Sequence, residues 1–358
     1  MTDLSLYGYT ETEPPGEGLI PGRVTERRRD AYIVVTGSGE VSAALKGSFL
    51  HNSNAREDYP CVGDFVTLQY NRSGISHIVS LAPRQTKFSR ADFSGHKAEY
   101  AKTILEQVVA ANFDYVFILS SLNWDFNVNR ILRYVTQTRQ SGGQPVVILT
   151  KADLVLQDEI DAHSGQIWAA APDVPVHAVS SHTGFGMGAL EEYARPGKTI
   201  VFLGMSGVGK SSLLNSLMRQ EVMAVKEIRE DDSRGRHTTT HRQLFMLPSG
   251  AMVIDTPGMR ELGLYDAEEA ISAGYGDIEE LIVNCRFSDC RHQTEPGCAV
   301  LAAISDGTLE EGQWERYVAQ KRENRFTEDK GAYMRDKKSF QKSIALHTKQ
   351  VKKKGKRQ

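Results

Sequence analysis

The chain has 358 residues, enough for two or three domains that each bury a core, and its 40% hydrophobic and 25% charged residues are ordinary for globular proteins. The formal net charge is −2, and no stretch approaches the roughly 18 consecutive apolar residues that a membrane-spanning helix needs. Four cysteines, three of them clustered, fit a metal site in a reducing compartment better than a disulfide framework, so we expect a cytoplasmic protein.

The first 82 residues divide into two parts. Residues 1–17 are acidic and rich in Pro, Gly and Thr, so we expect them to be disordered, and they lack the features of a secretory signal. Residues 18–82 hold five short β-rich runs broken by turns, which predict a small closed barrel such as an OB-fold. That fold commonly binds RNA, whereas an SH3-like barrel would serve protein docking. Four arginines near the first run supply positive charge for RNA: Arg23, Arg27, Arg28 and Arg29.

The middle of the chain has a different pattern, in which apolar runs alternate with helical ones as far as Gly263. The runs DYVFILS and PVVILT have the character of buried strands, VPVHAVS and TIVFLG predict further strands, and RQLFMLP with AMVIDT predicts a hairpin. Such alternation predicts a mainly parallel sheet with helices on both faces. The predicted units are a disordered N-terminus at 1–17, the barrel at 18–82, a linker at 83–100, the α/β core at 101–263, a helical domain at 264–340 and a basic tail at 341–358.

The end of the chain, from Lys349, reads KQVKKKGKRQ and contains no acidic residue. A basic tail beside a neutral body indicates a polyanionic partner, because contacts with phosphates release counterions. The alternative is a solvated, disordered tail that keeps the protein soluble.

The stretch GMSGVGKSS fits the phosphate-binding pattern G-x-x-x-x-G-K-[ST], and it follows an apolar strand and opens a helix, as that motif requires. Its glycines let backbone N–H groups turn toward phosphates. We expect Lys210 to bind the β- and γ-phosphates and Ser211 to hold Mg²⁺. The residues predicted to surround the phosphates are Gly204, Met205, Ser206, Gly207, Val208, Gly209, Lys210, Ser211 and Ser212.

Two further segments fit the γ-phosphate end of a nucleotide site. DTPG ends the apolar run AMVID, where Asp255 is placed to reach Mg²⁺ through a water and the Gly258 N–H to sense the γ-phosphate. The polar segment RGRHTTTHR precedes it and is interpreted as a first switch, whose Thr240, or next to it Thr239, would complete the Mg²⁺ shell. The alternative is an ordinary Ser/Thr-rich loop.

A guanine reader is predicted at TKAD, on the end of the strand PVVIL. A carboxylate there can accept hydrogen bonds from guanine N1–H and the exocyclic amine, which adenine cannot offer in that arrangement. After the next predicted strand, VSSHTGFG can present a backbone N–H to guanine O6. Alone, TKAD is a weak motif, since a charged turn often follows a strand. The predicted base-binding residues are Thr150, Lys151, Ala152, Asp153, Ser180 and Ser181.

The motifs TKADL, VSS, GMSGVGKSSLLN, GRHTTTHR and DTPGMRELGL, in this order, closely resemble the circularly permuted GTPases of the ribosome-small-subunit-dependent GTPase A family (RsgA, also called YjeQ). The resemblance covers nearly the whole chain and implies an OB-fold, a permuted P-loop GTPase core and a C-terminal zinc-binding helical domain. It implies GTP hydrolysis coupled to late maturation of the small (30S) ribosomal subunit and stimulated by that subunit. The expected partners are that subunit, its rRNA and GTP or GDP, for a monomer that binds neither DNA nor membranes.

The segment CRFSDCRHQTEPGC offers three thiolates and an imidazole, a closed Cys₃His set of the kind that holds structural zinc. The spacing differs from that of common zinc fingers, so packed cysteines beside a histidine are the alternative. The resemblance implies zinc at these four positions, and Cys61 is predicted to be a packed core thiol. The implied ligands are Cys285, Cys290, His292 and Cys298.

Two positions depart from the usual pattern of GTPases. Thr150 replaces the usual asparagine and loses an amide that can tie this loop to the phosphate loop, which predicts a lower nucleotide affinity. Met259 stands where Ras-like proteins place a water-orienting glutamine, so we expect slow intrinsic hydrolysis and assistance from His237 or His241 in the first switch. The remaining alternatives are an ATP-using P-loop protein, against which TKAD argues, and a non-catalytic RNA-binding scaffold that holds GTP.

Overall fold

The computed structural model describes residues 2–10, 16–28, 31–52, 56–92, 105–123, 126–222, 242–255 and 268–328. Within these ranges the chain forms a five-stranded barrel, an α/β sheet and a helical C-terminal module. In the same part of the chain no helix combines the length and the apolar character needed to cross a membrane.

The barrel confirms the prediction of an OB-like N-terminal domain. Its first strand pairs with the second and the fourth, and the third pairs in parallel with the fifth, so the strands close into a ring. Alternate side chains such as Val24, Val34 and Leu68 fill the interior and are fully buried. The strands are β1 (Leu19–Arg27), β2 (Tyr32–Thr36), β3 (Gly39–Leu45), β4 (Phe65–Gln69) and β5 (Ser76–Leu81), with helix α1 (Gly47–Asn52) between β3 and β4.

Two segments at the borders of the barrel differ from the prediction. The disorder predicted for 1–17 is wrong for residues 2–10, because Leu4–Tyr7 forms a 3₁₀ turn and Tyr7 packs against the core of the α/β sheet. The linker predicted at 83–100 contains strand β6 (Lys87–Asp92), which pairs with β7 (Leu105–Ala111). Phe88 drives this pairing, since its ring is buried beside Phe113. Residues 93–100 lie outside the described part of the chain.

The α/β core has the strand order β10-β9-β8-β11-β13-β12, in which only β12 is antiparallel to its neighbour. Helices were predicted on both of its faces, and two separate apolar clusters each combine strand residues with helix residues. The helical run MGALEEYA is a 3₁₀ helix. The elements are β8 (Tyr115–Ser121), α2 (Val128–Gln140), β9 (Gln144–Thr150), α3 (Gln157–Ala170), β10 (Val176–Val179), β11 (Thr199–Leu203), α4 (Lys210–Met218), β12 (Arg242–Met246) and β13 (Met252–Asp255).

The C-terminal module is helical, as predicted, and its small core includes Ile271, Ile278 and Tyr317. It docks on α2 through Arg133, whose guanidinium binds both carboxylate oxygens of Glu323 at 2.8 and 2.5 Å. The predicted basic tail at 341–358 lies outside the described residues. The helices are α5 (Glu268–Gly274), α6 (Gly276–Val283), α7 (Ala299–Asp306) and α8 (Glu311–Glu328).

The barrel and the α/β sheet are joined by backbone and side-chain hydrogen bonds. Strand β1 pairs antiparallel with β12, which merges the two units into one eleven-stranded sheet. Beside this seam Arg23 is 1% exposed, so the prediction that it contacts RNA is wrong. Its guanidinium donates to the carbonyls of Tyr7, Gly63 and Asn112 and to Oγ1 of Thr199 at 2.6 to 3.1 Å. Burial lowers the pKa of Arg23 to about 10, which leaves it charged at neutral pH.

The substitution Arg23→Met should lower the free energy of unfolding by about 3–5 kcal/mol, because it removes at once the donors for one buried and two partly buried carbonyls. Guanidinium-induced unfolding followed by tryptophan fluorescence measures the loss. Arg28→Met is the matched control, since Arg28 is exposed and forms an ion pair with its near neighbour Glu26, and it should leave stability nearly unchanged. Equal effects of the two substitutions would contradict the role of Arg23.

Candidate guanine-nucleotide and zinc sites

The predicted phosphate loop connects β11 to α4, as its sequence pattern requires. Gly204, Gly207 and Gly209 all have positive φ, at 156°, 81° and 99°. A Cβ atom at Gly204 would lie 2.6 Å from the carbonyl oxygen of Leu119 in the neighbouring strand, so this position admits only glycine. The loop therefore turns sharply out of the sheet and delivers the chain to the first turn of α4.

Lys210 begins α4, and its ammonium group is held over the phosphate loop. Its Nζ donates to the carbonyl oxygens of Gly204 and Met205 at 2.7 and 2.6 Å. The hydroxyl residues Ser211 and Ser212 follow in the first turn of the helix and are half-buried. Backbone N–H groups at a helix N-terminus and one lysine are a suitable environment for the phosphates of a nucleotide. Between Gly204 and Lys210, Met205, Ser206 and Gly209 are half-buried, Val208 is buried and Gly207 is exposed.

Asp255 is the last residue of β13, which lies beside β11 in parallel register. Because the carboxyl ends of neighbouring parallel strands meet at one edge of the sheet, the half-buried Asp255 lies at the same edge as the phosphate loop. A carboxylate and a serine hydroxyl at this edge are oxygen donors of the kind that Mg²⁺ prefers. The residues singled out in the first switch and after Asp255 lie outside the described part of the chain: His237, Thr239, Thr240, His241, Gly258 and Met259.

Thr150 connects its own loop to the phosphate loop. This connection was expected to be lost, because threonine lacks the amide of the usual asparagine. Its hydroxyl donates to the carbonyl oxygen of Val208, inside the phosphate loop, at 2.6 Å. The side chain is 3% exposed, so water competes little for this bond. The hydroxyl of Thr150 thus replaces the asparagine amide as the link to the phosphate loop, so the reason for expecting a low nucleotide affinity no longer holds.

The other residues predicted to bind the base follow β9 and β10, which end side by side with Val179 opposite Thr150. Lys151 has a left-handed φ of 61°, after which Ala152 is buried and the Asp153 side chain is exposed. Ser180 is buried, and its own N–H donates to the carbonyl of Phe185 at 2.9 Å. Of the two serine N–H groups proposed for guanine O6, that of Ser181 is therefore the better candidate.

The Ser180 side chain shapes the loop that follows it. Its Oγ accepts N–H bonds from His182 and Thr183 at 3.2 and 3.1 Å. Gly186 closes the same loop with a φ of 69°, and a Cβ atom there would lie 2.0 Å from the carbonyl oxygen of Ala178. Sequence reasoning missed the role of Gly186, although the glycines of HTGFG indicated a turn.

The four residues of the cysteine cluster come together as a possible metal site. Their ligand atoms all lie within 4.8 Å of one another. Zinc bound tetrahedrally to thiolates about 2.3 Å away requires sulfur atoms roughly 3.8 Å apart. Sγ of Cys285 lies 3.9 Å from Sγ of Cys298, and Nδ1 of His292 lies 3.5 and 3.4 Å from these two sulfurs. The Cys₃His group therefore fits a structural zinc ion.

The position of the ligands explains what such an ion would hold together. Cys285 follows the end of α6, whereas Cys298 immediately precedes α7 and accepts the N–H of Leu301 at 3.4 Å. The ring of His292 stands edge-on to Trp314 of α8, with 5.2 Å between ring centroids. The ligand set therefore joins three helices of the C-terminal module.

Comparison with known proteins decides the family. The model of the RsgA GTPase family matches residues 81–265. The chain belongs to the RsgA GTPase family. It is 42% identical to small ribosomal subunit biogenesis GTPase RsgA 1 of Listeria innocua, over 97% of this chain and 98% of that protein. It is 40% identical to RsgA 2 of Vibrio parahaemolyticus, over 90% of this chain and 82% of that protein.

Solved structures agree with the RsgA assignment. The structure of YjeQ from Thermotoga maritima has a TM-score of 0.60 and 25% identity, covering 84% of this chain and 96% of that one. The fold also resembles that of YloQ, a circularly permuted GTPase, with a TM-score of 0.56, 22% identity, and coverage of 86% and 96%. The strand order of this RsgA protein has the same character, because β8, β9 and β10 precede the strand of the phosphate loop in the chain yet lie in one sheet with it.

In this RsgA protein, Thr150→Val should lower the affinity for GDP about fivefold to tenfold, because it removes a hydrogen bond and leaves the buried Val208 carbonyl unpaired. Valine keeps the volume, so the sheet should be preserved. Titration with a fluorescent GDP derivative measures the change, and Thr150→Ser is the control that retains the hydroxyl. Unchanged affinity in the valine variant would show that the tie does not support the phosphate loop.

Proposed function

We propose that the chain is a GTPase that binds the small ribosomal subunit and hydrolyses GTP to GDP and phosphate in late maturation of that subunit, with turnover stimulated by the subunit. One observation carries the proposal: the strands that end in TKAD, VSS, the phosphate loop and Asp255 leave the same edge of one parallel sheet. The relatives' names, small ribosomal subunit biogenesis GTPase, support the choice of subunit. The proposed setting is the cytoplasm, and the proposed acting form is a monomer.

Each residue has an assigned role in this proposal. Lys210 and the N–H groups of the phosphate loop bind the phosphates, and Asp153 accepts the two donors of guanine. Ser211 and Thr240 would hold Mg²⁺, which would supply positive charge beside the phosphates, and Asp255 would orient a water toward the ion. The Gly258 N–H senses the γ-phosphate.

The contacts of the flanking modules suggest which of them responds to the nucleotide. Arg23 and the β1–β12 pairing tie the barrel to the sheet, so the barrel serves as a fixed RNA-binding surface. The C-terminal module follows the DTPG motif directly in the chain, and its docking on α2 includes an ion pair whose side chains are 26% and 29% exposed. Movement at Gly258 is therefore transmitted to the C-terminal module. As a result, the affinity of this module for rRNA differs between the GTP and GDP states.

The test is GTP turnover titrated with isolated small and large ribosomal subunits. Small subunits should raise the rate at least about tenfold and large subunits should not. Lys210→Ala serves as the inactive control, and alanine at both His237 and His241 should abolish the stimulation while keeping GTP binding. GTP binding without any stimulation would instead favour a non-catalytic scaffold.

A further inference from the structure

A cavity of about 510 Å³ lies between the α/β core and the C-terminal module. One wall is α2, which contributes Arg130 and Arg133, and the other is α8, which contributes Arg316 and Gln320. The cavity is separate from the phosphate loop and from the zinc ligands, none of which line it. Its volume lies within the range of roughly 300–1,000 Å³ that is typical of small-molecule sites.

The charged groups of the cavity favour an anion. Arg133 and Glu323 neutralise each other in their two-pronged ion pair, which spans the cavity from α2 to α8. The lining residues include three arginines and two glutamates, so basic side chains outnumber acidic ones, and Glu315 is exposed. Arg316 has an additional acidic neighbour in Glu310, at 3.5 Å, whose side chain is 75% exposed. Guanidinium groups present parallel N–H donors that match the oxygens of a phosphate.

Two buried polar atoms of the wall lack a hydrogen-bond partner in the described structure. They are Nε of Arg316 and Oε1 of Gln320. Gln320 is 5% exposed, and its amide is oriented by Nε2, which donates to the hydroxyl of Tyr275 at 3.0 Å. The two residues are one helical turn apart on α8, so a donor and an acceptor lie next to each other. Buried polar atoms of native proteins are normally paired, which points to a ligand with a complementary acceptor and donor.

We propose that this cavity is a second nucleotide site, which takes one phosphate-bearing nucleotide unit apart from the GTP site. The phosphate binds at Arg130 and Arg316, and the base presents an acceptor to Nε of Arg316 and an N–H to Oε1 of Gln320. A free nucleoside monophosphate and one nucleotide of an RNA strand share this chemistry. Because α2 and α8 form opposite walls, an occupant strengthens the docking of the C-terminal module on the core. The site goes beyond the proposed function and does not depend on GTP hydrolysis.

The experiment uses the full chain with zinc present and the phosphate loop saturated with GDP and Mg²⁺. Equilibrium dialysis with radiolabelled AMP and UMP tests the free nucleotide, and fluorescence anisotropy with a labelled tetraribonucleotide tests the RNA strand. One additional equivalent of either kind of probe should bind, and Arg316→Gln and Arg130→Gln should each weaken it at least about tenfold. Arg322→Gln is the matched control, because Arg322 is exposed on the same helix and does not line the cavity.

The outcomes separate the sources of the ligand. Binding of a mononucleotide alone assigns a free nucleotide, and binding of the oligonucleotide alone assigns an RNA strand. Arg316→Lys, which keeps the charge but lacks the Nε donor, should give an intermediate loss. Absence of additional binding by either probe, or binding that both cavity variants leave unchanged, would overturn the proposal. Thermal unfolding establishes whether each variant folds. If the Arg316 variants do not fold, the binding measured with Arg130→Gln tests the proposal alone.

Discussion

Replacing Asp153 by asparagine should change the nucleotide preference of the chain from guanine nucleotides to xanthine nucleotides. A carboxylate accepts two hydrogen bonds and therefore matches the N1–H and the amino group of guanine. An asparagine amide offers one acceptor and one donor, which match the N1–H and the C2 carbonyl of xanthine. Sites built on such pairs discriminate strongly because a mismatch leaves polar groups unpaired. We expect GTP affinity to fall about 100-fold to 1,000-fold and XTP affinity to rise by a similar factor.

Competition between labelled GDP and unlabelled XTP, GTP and ATP measures this change. Asp158→Asn is the matched control, since Asp158 is an exposed acidic residue in the first turn of α3, close in sequence but outside the motif. It should retain the preference of the unmodified chain. Loss of GTP binding in the Asp153 variant without a gain for XTP would mean that the residue supports the loop and does not read the base.

The sequence was sufficient to predict the barrel, the parallel sheet and the grouping of the motifs, because each depends on short-range patterns. Runs such as PVVILT have the apolar character of strands buried on both faces, and the interior residues of β9 are indeed buried. The parallel arrangement then places the carboxyl ends of the parallel strands at one edge of the sheet, whatever the order of these strands in the chain. Circular permutation changes which strand comes first but leaves these patterns intact.

The sequence could not predict contacts that depend on which distant residue is nearby. Arg23 has the sequence context of a cation near an RNA-binding strand, yet its partner Thr199 lies 176 residues further along the chain, and all three guanidinium nitrogens donate to groups inside the protein. Thr150 likewise reads as a weakened tie until the carbonyl of Val208 is found 2.6 Å away. The residue type shows which groups a side chain is able to bind. Which group it actually binds depends on its surroundings in the folded protein.

The pairing of Arg133 with Glu323 was missed for the same reason, and it bears on how the modules communicate. It joins α2, which packs on the sheet, to α8, which carries part of the core of the C-terminal module. In the seam between the barrel and the sheet, by contrast, Arg23 is 1% exposed. Solvent and ligands can therefore compete more easily for the Arg133–Glu323 pair than for the buried contacts of Arg23.

Removing zinc should unfold the C-terminal module while the nucleotide site is preserved. The module has a small core, and its ligands connect α6, α7 and, through the His292–Trp314 contact, α8. Modules of this size depend on their metal, which contributes on the order of 10 kcal/mol in isolated zinc fingers. Cys298→Ser should therefore abolish zinc binding and raise the amide hydrogen-exchange rates across 268–328 at least about 100-fold.

The nucleotide site gives this prediction a readout that separates local from global unfolding. GDP affinity of the Cys298 variant should stay within about twofold of the unmodified chain, because the motifs at 150–153, 204–212 and 255 belong to another core. Stimulation by small subunits should be lost, since the responding module is no longer folded. Cys61→Ala is the matched control: this thiol is buried in a separate cluster at the barrel, and the variant should retain one zinc per chain. A Cys298 variant with unchanged exchange rates would mean that the helices α5–α8 hold together without the metal, so that nucleotide-dependent movement would have to act on a module already rigid by its own packing.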